Sequence, residues 1–434
     1  MTAHNYRATS APQKLPSSLW AATASPFSAH ALDAAIDVDV LVVGGGYTGL
    51  SCALHLRERE QSVALLEGSA IGFGGSGRNV GLVNAGLWTP PDEINRAIGD
   101  EFGNRLYSQL SAAPKKVFAL IQAHGIECEA QRNGTLQLAR SKRGVAELEA
   151  RFAQLQARGE PVTWLDQAAT AQSLGTDFYR RAIHDARAGT IQPLGYARGL
   201  AKACVARGVQ LFEGSPVTEL SRTGDSWLAR TPQGQVKAQR VVMATNAYSG
   251  SLLPQMQQSF TPVHYFQLAS EPLPESLRAD ILPGKEGCWD TGLVMTSLRI
   301  DQAGRLILGS VGKIADGASS ALLERWGQRT VAKIFPKLSR VNWQYTWSGQ
   351  IAYSDDHLPH LHELAPGLVT VMGYSGRGIG PGTVMGDWLA RYVTEADLSQ
   401  LPLPVSAPQA ISLRQVQQHY YRFGSDLYHC VHPR

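Results

Sequence analysis

Three glycines and one carboxylate carry the first legible chemistry of this chain. Gly44, Gly46 and Gly49 stand in the order G-x-G-x-x-G. They follow an apolar run, Val38 and Val40 to Val43, of the kind that forms a strand buried on both faces. A helix is expected next, roughly from Thr48 to Arg59, and Ala64 to Leu66 read as a second strand ending at Glu67. In such a unit the first glycine permits a tight turn, and the second lets backbone N–H groups approach a pyrophosphate. The third lets the helix pack closely on the strand. Tyr47 and Thr48 open the helix, whose positive dipole end faces the phosphates. Glu67 can accept hydrogen bonds from a ribose and would repel the 2′-phosphate of NADP. The competing reading is a chance glycine turn in an ordinary βαβ unit. The acid about 20 residues on, the preceding strand and the following helix favour the dinucleotide.

Two more glycine-rich segments follow. Ile71 to Gly86 holds six glycines, with Gly74, Ser76, Gly77, Arg78 and Asn79 in the pattern G-x-G-x-S-G-R-N. So bare a backbone suits close approach to a flat ligand. Leu368 to Gly386 reads as a strand ending at Met372, a turn G-Y-S-G-R-G, and a helix expected to begin near Thr383.

These three segments, in this order and spacing, resemble the FAD-dependent amine and amino-acid oxidases of the D-amino-acid oxidase superfamily. The sarcosine, glycine and γ-glutamylputrescine oxidase branch is the most similar, γ-glutamylputrescine oxidase above all. The resemblance covers residues 36–400. It implies FAD as cofactor and an α/β fold: a Rossmann-like FAD-binding domain with an interleaved antiparallel-sheet substrate domain. The implied partition is an arm at 1–36; a discontinuous FAD-binding domain at 37–105, 181–261 and 341–400; a substrate domain at 106–180 and 262–340; and a docking segment at 401–434. It implies that Ser76, Gly77, Arg78 and Asn79 lie along the isoalloxazine. Val217 would offer backbone groups to the adenine, and Ala244 and Thr245 would close over the pyrophosphate. Gly373, Ser375, Gly376, Gly378, Ile379 and Gly380 would wrap the pyrimidine edge. On the substrate side it implicates His264, Tyr265, Arg299 and Arg377, and both anchors must then share one cavity.

The chain departs from that pattern at three places. Arg377 stands where the family has a histidine, and could clamp a substrate carboxylate or pair with Asp355 or Asp356. Gly380 and Ile307 stand where sarcosine oxidases carry lysines, which leaves open an acceptor other than O2. Ser297 and Leu298 replace an aromatic pair before Arg299, so a smaller, less aromatic pocket wall is expected. No cysteine closely follows the second anchor, which argues against a cysteinyl–flavin bond. The implied reaction removes a hydride from a carbon bearing nitrogen and gives an imine that water hydrolyses. It needs no metal and no nucleophilic side chain. The substrate is then a small amine or amino acid, with O2 or another molecule as acceptor.

The rest of the chain bounds the alternatives. Its 434 residues allow two domains, and 44% apolar with 18% charged residues is ordinary globular composition. A net charge of +4 without a clustered basic run ranks a flavin-binding tRNA-modification factor below the oxidoreductase. A flavoprotein that has lost turnover and serves as a binding partner is a third reading. Five scattered cysteines (52, 128, 204, 288 and 430) point to reduced thiols in the cytoplasm. No signal peptide or membrane span is expected. His357, His360 and His362 do not share a helical face and no metal is expected there. Residues 1–36 read as an irregular arm that Trp20 and Phe27 could pin to the body. A helix broken at Pro114 is expected within Pro91 to His124. Ile411 to Tyr428 reads as a docking helix with Val416, Tyr420 and Phe423 on its inner side.

Overall fold

A computed structural model describes residues 4–8, 11–292, 294–338 and 340–431. Its first sheet holds the fingerprint. The strand Ala35–Val43 pairs in parallel with Val63–Leu66 on one side and Gln235–Met243 on the other. Gln210–Phe212 and Leu368–Met372 extend this parallel core at its two edges. Where these strands are buried on both faces, as at Val40–Val43, Val63–Leu66 and Leu368–Met372, they read as nearly continuous apolar runs.

The helix Tyr47–Glu58 lies across this sheet beside a second long helix, Ile379–Thr394. Glycines bring the two close. A Cβ on Gly386 would meet the Thr48 carbonyl oxygen and the Ser51 Cβ at 2.6 Å each. Ser51 donates its hydroxyl to the Thr383 carbonyl at 2.7 Å. Asp387, between Arg59, Lys116 and Arg391, ties a third helix, Ala113–Ala123, to this pair.

The second sheet has eight strands, antiparallel except where Gly287–Asp290 pairs with Thr135–Ala139. Two strands expected with the nucleotide part, Arg181–Asp185 and Trp343–Tyr353, are hydrogen-bonded here. The first pairs with Thr135–Ala139, and the second runs the length of Thr261–Pro272. Four differences from the sequence reading are local. Pro114 opens a helix, because a missing N–H is harmless in a first turn; the break falls instead at Ala112. For the same reason Pro381 does not delay the helix expected near Thr383, which starts at Ile379. The arm is partly regular. Asn5–Arg7 pairs with Glu219–Ser221, and Leu19–Thr23 is a short helix with Trp20 fully buried. The C-terminal helix Arg414–Val431 leaves Val416 and Tyr420 exposed and docks instead through His429, set between Phe266 and Trp326. The Phe423 side chain lies outside the described residues.

Candidate active site

The two glycine-rich anchors open onto one cavity of about 980 Å³, at the upper end of the usual range for ligand pockets. At its nucleotide end Gly44 has φ +114°, a conformation only glycine adopts freely. A Cβ on Gly49 would lie 2.0 Å from the Gly44 carbonyl oxygen, so this glycine serves helix–strand packing and does not line the cavity. Gly46 caps the helix without a side-chain bond, leaving its positive end toward the cavity. Thr48 is bonded to the Tyr374 hydroxyl at 2.9 Å, which joins the two anchors. Glu67 accepts from the Gly45 N–H at 2.7 Å and the Ser69 N–H at 2.8 Å. Burial raises its pKa against the pull of these bonds. Each oxygen keeps a second lone pair for a ribose hydroxyl. Val217, Ala244 and Thr245 line the same end.

The loop at 72–81 is built as a brace. Asn79 spends its amide on the Gly75 and Ser76 carbonyls and the Tyr47 hydroxyl, at 2.9 to 3.1 Å. Ser76 accepts from the Tyr47 N–H at 3.1 Å. Arg78 donates to the Phe73 and Ser348 carbonyls and lies 4.6 Å from the Phe73 ring centre. Gly74, Ser76, Arg78 and Asn79 line the cavity, whereas Gly77 is buried against Gly72. Four consecutive carbonyls are then held from outside. Trp347 donates to Arg78 O, Trp20 to Asn79 O, and Arg299 to both Val80 O and Gly81 O.

That last contact relocates Arg299. It is fully buried, gives Nη1 also to Ile191 O at 2.6 Å, and does not line the cavity. Its i, i+2 neighbour Ser297 does line it. Ile307 packs with Leu19, Trp20, Leu194 and Trp347, also away from the cavity.

In the second anchor, Gly376, Gly378, Ile379 and Gly380 face the cavity. Gly373 and Ser375 shape the turn from behind. Ser375, at φ +48°, bonds Ser354, and the Gly373 N–H reaches Asn246 Oδ1 at 3.1 Å. The helix starting at Ile379 has no side-chain cap, so a second positive helix end meets the cavity.

His264, Tyr265 and Arg377, expected on the substrate side, line the same cavity. Among the described residues the buried Tyr265 hydroxyl has no hydrogen-bond partner, and burial raises its pKa well above the ordinary value. Gln267, two residues on and on the same sheet face, has its Oε1 orphaned in the same way. Arg377 donates Nη1 to Ala85 O at 2.9 Å and keeps Nε unpaired. Burial, with Arg151 and Arg187 nearby, pushes its pKa down to about 9, so it stays charged at neutral pH. No carboxylate pairs with it among the described residues. Asp356, one of the two expected partners, is bonded to His360 at 3.0 Å instead. The expected loss of aromatic wall does not occur, because Trp88 and Trp289 supply it from a loop and a neighbouring strand. Gln267, Trp88 and Trp289, like the cavity-lining cations Lys313 and Arg414, escaped the sequence reading. Gln267 and Trp289 lie on strands, Trp88 and Lys313 in loops, and Arg414 opens the C-terminal helix, so no one motif marks them. The histidines are engaged structurally, His362 with Ser406.

These residues fit FAD. One end offers an uncapped helix start and a carboxylate with free lone pairs, and the other offers a second uncapped helix start at a bare glycine turn beside orphaned polar groups. The comparisons agree. The model of the FAD-dependent oxidoreductase family (DAO) matches residues 39–392. The chain is 30% identical over 416 residues to gamma-glutamylputrescine oxidoreductase of Escherichia coli (strain K12), across 93% of this chain and 97% of that one. It is 31% identical to the probable oxidoreductase OrdL of Haemophilus influenzae, over 79% of each. Its fold matches glycine oxidase from Geobacillus kaustophilus with a TM-score of 0.69 at 20% identity, covering 87% of this chain and 100% of that one. L-proline dehydrogenase from P. horikoshii gives a TM-score of 0.68 at 17% identity, over 87% and 96%. With two glycine anchors around one cavity and a family match over most of its length, the chain belongs to the DAO family of FAD-dependent oxidoreductases acting on amines or amino acids.

Proposed function

We propose that this enzyme oxidises a C–N bond of an amine or amino acid that carries a carboxylate. When bound, FAD supplies the hydride acceptor at N5, and the substrate leaves as an imine that water hydrolyses. The chain's own residues orient the substrate. Arg377, charged and without a carboxylate of its own, holds the anion beside two indole rings, in a dry setting that strengthens the bond. Tyr265 and Gln267 supply one hydroxyl donor and one carbonyl acceptor to the substrate. The unpaired Arg377 is the observation that carries this reading. An anaerobic screen of flavin reduction over amines, amino acids and their amides tests it. Carboxylated substrates should reduce the flavin fastest, and a flavin that no amine bleaches would refute it.

A second acceptor reading, a dehydrogenase of a cyclic or N-alkyl amino acid passing electrons to a molecule other than O2, draws support from Ile307. An aliphatic side chain packed under Trp20 supplies no cation beside the cavity. Comparing reoxidation by air with that by an artificial acceptor decides between them. The four buried, unpaired cysteines at 52, 128, 204 and 288 support a cytoplasmic setting. Among the described residues no helix is long and apolar enough to cross a membrane.

A further inference from the structure

A second, smaller cavity of about 40 Å³ lies behind Arg377. Arg377 and Trp289 line both cavities, so the guanidinium stands in the wall between them. The inner side carries Arg151 and Arg187. Arg187 is matched by Glu160 at 2.5 Å and Asp185 at 2.6 Å. Arg151 is not. It gives Nη1 to Leu87 O and Nη2 to Trp88 O, and its Nε is buried without a partner. Glu93 and Glu147 act on it from beyond ion-pair range. Three guanidinium charges therefore face two carboxylates, and two of the three keep an unused buried N–H. Leaving such groups dry and unmatched is costly. The volume holds one or two water-sized groups and nothing larger.

We propose that this inner cavity is an anion subsite that takes a single halide- or carboxylate-sized group between Arg151 and Arg377. That group is either a free inorganic ion or a terminal carboxylate of the substrate passing Trp289. The inference shares Arg377 with the proposed function: its substrate-carboxylate form rests on that reading, and its free-ion form does not.

The test titrates the FAD-loaded enzyme with bromide or nitrate at constant ionic strength, with gluconate, too large for the cavity, as balance. Tryptophan fluorescence reports binding, since Trp88 and Trp289 flank the guanidinium. A saturable change is expected. Arg151→Gln should shift its midpoint by about tenfold, the weight of one charge-assisted hydrogen bond, and Arg151→Lys should recover most of it. If a substrate carboxylate is the occupant, bromide raises the KM of a carboxylated amine and leaves that of its amide unchanged. If a free ion is, both KM values stay constant and the fluorescence change survives saturation with substrate. Identical fluorescence and thermal midpoint of the wild-type enzyme in bromide, nitrate and gluconate would overturn the subsite, whatever Arg151→Gln does. The outer clamp would still be judged separately, by whether Arg377→Ala loses carboxylated substrates selectively.

Discussion

The Arg377 guanidinium carbon lies 4.7 Å from the Trp289 ring centre and 4.9 Å from that of Trp88, and the two indoles meet edge to face at 4.5 Å. A cation set against two touching rings and left without a carboxylate is poised for an anion from outside. Arg377→Ala should cost about 2–5 kcal/mol in kcat/KM for carboxylated substrates and little for plain amines. Arg377→Lys should recover only part, because an ammonium lacks the planar fork. Equal losses on acids and amines would remove the clamp.

Tyr265 offers a cleaner separation of structure from function. Among the described residues its hydroxyl has no bond partner, so Tyr265→Phe should leave stability within about 1 kcal/mol of wild type. Turnover or KM should change all the same, if the hydroxyl meets substrate or cofactor. Unchanged kinetics together with lost stability would reverse the assignment. Gln267→Met tests the neighbouring acceptor by the same pair of measurements.

Two fingerprint glycines should fail differently. A Cβ on Gly49 would sit 2.0 Å from a backbone oxygen, so Gly49→Ala should prevent correct folding or cost several kcal/mol. A Cβ on Gly46 would meet only the Ser76 hydroxyl, at 3.0 Å. Gly46→Ala should fold and lose affinity for FAD. Circular dichroism and flavin content on the two purified variants decide the matter.

Glu67→Gln replaces an acceptor pair by one acceptor and one donor, so either the Gly45 or the Ser69 N–H loses its partner. Retention of FAD should weaken by about 1–3 kcal/mol. Fluorescence titration of stripped protein measures it, and wild-type affinity would contradict the ribose role.

The acid side of the stability profile follows from His362. Burial, helped by the neighbouring His360, pushes its pKa down to about 4 from an ordinary 6.5. The unfolded chain therefore takes up a proton that the folded one refuses. The contribution of His362 is complete above pH 6.5 and is lost as pH falls toward 4, by up to about 3 kcal/mol. Asp387, whose pKa is lowered by His55 and Lys116 despite burial, adds a loss that begins only in the carboxylate range below. Urea midpoints from pH 7 to pH 4 should fall for wild type and flatten for His362→Gln. Parallel curves would reject this origin.

What could be read from the sequence was whatever a short segment of backbone demands by itself. Gly44, Glu67 and the turn Gly373–Gly380 announced themselves, because bare backbone and a carboxylate at fixed offsets serve a phosphate or ribose wherever they occur. Arg299 misled, because a buried guanidinium that laces carbonyls looks in sequence like one that waits for substrate. Trp88 and Trp289 were silent: one lies in a loop and the other on a strand far along the chain, and only the fold brings their rings together. Pro114 was read as a break, since nothing local tells a first turn from a helix interior.

The carbonyls of residues 78 to 81 are gripped from residues 20, 299 and 347. Three remote stretches of chain thereby fix a single strip of main chain beside the cavity. Any change at Trp20, Arg299 or Trp347 should register as a shift in the flavin's colour or midpoint potential before it registers in substrate choice. Evolution can thus tune electron affinity in this enzyme from positions that never meet the molecule being oxidised.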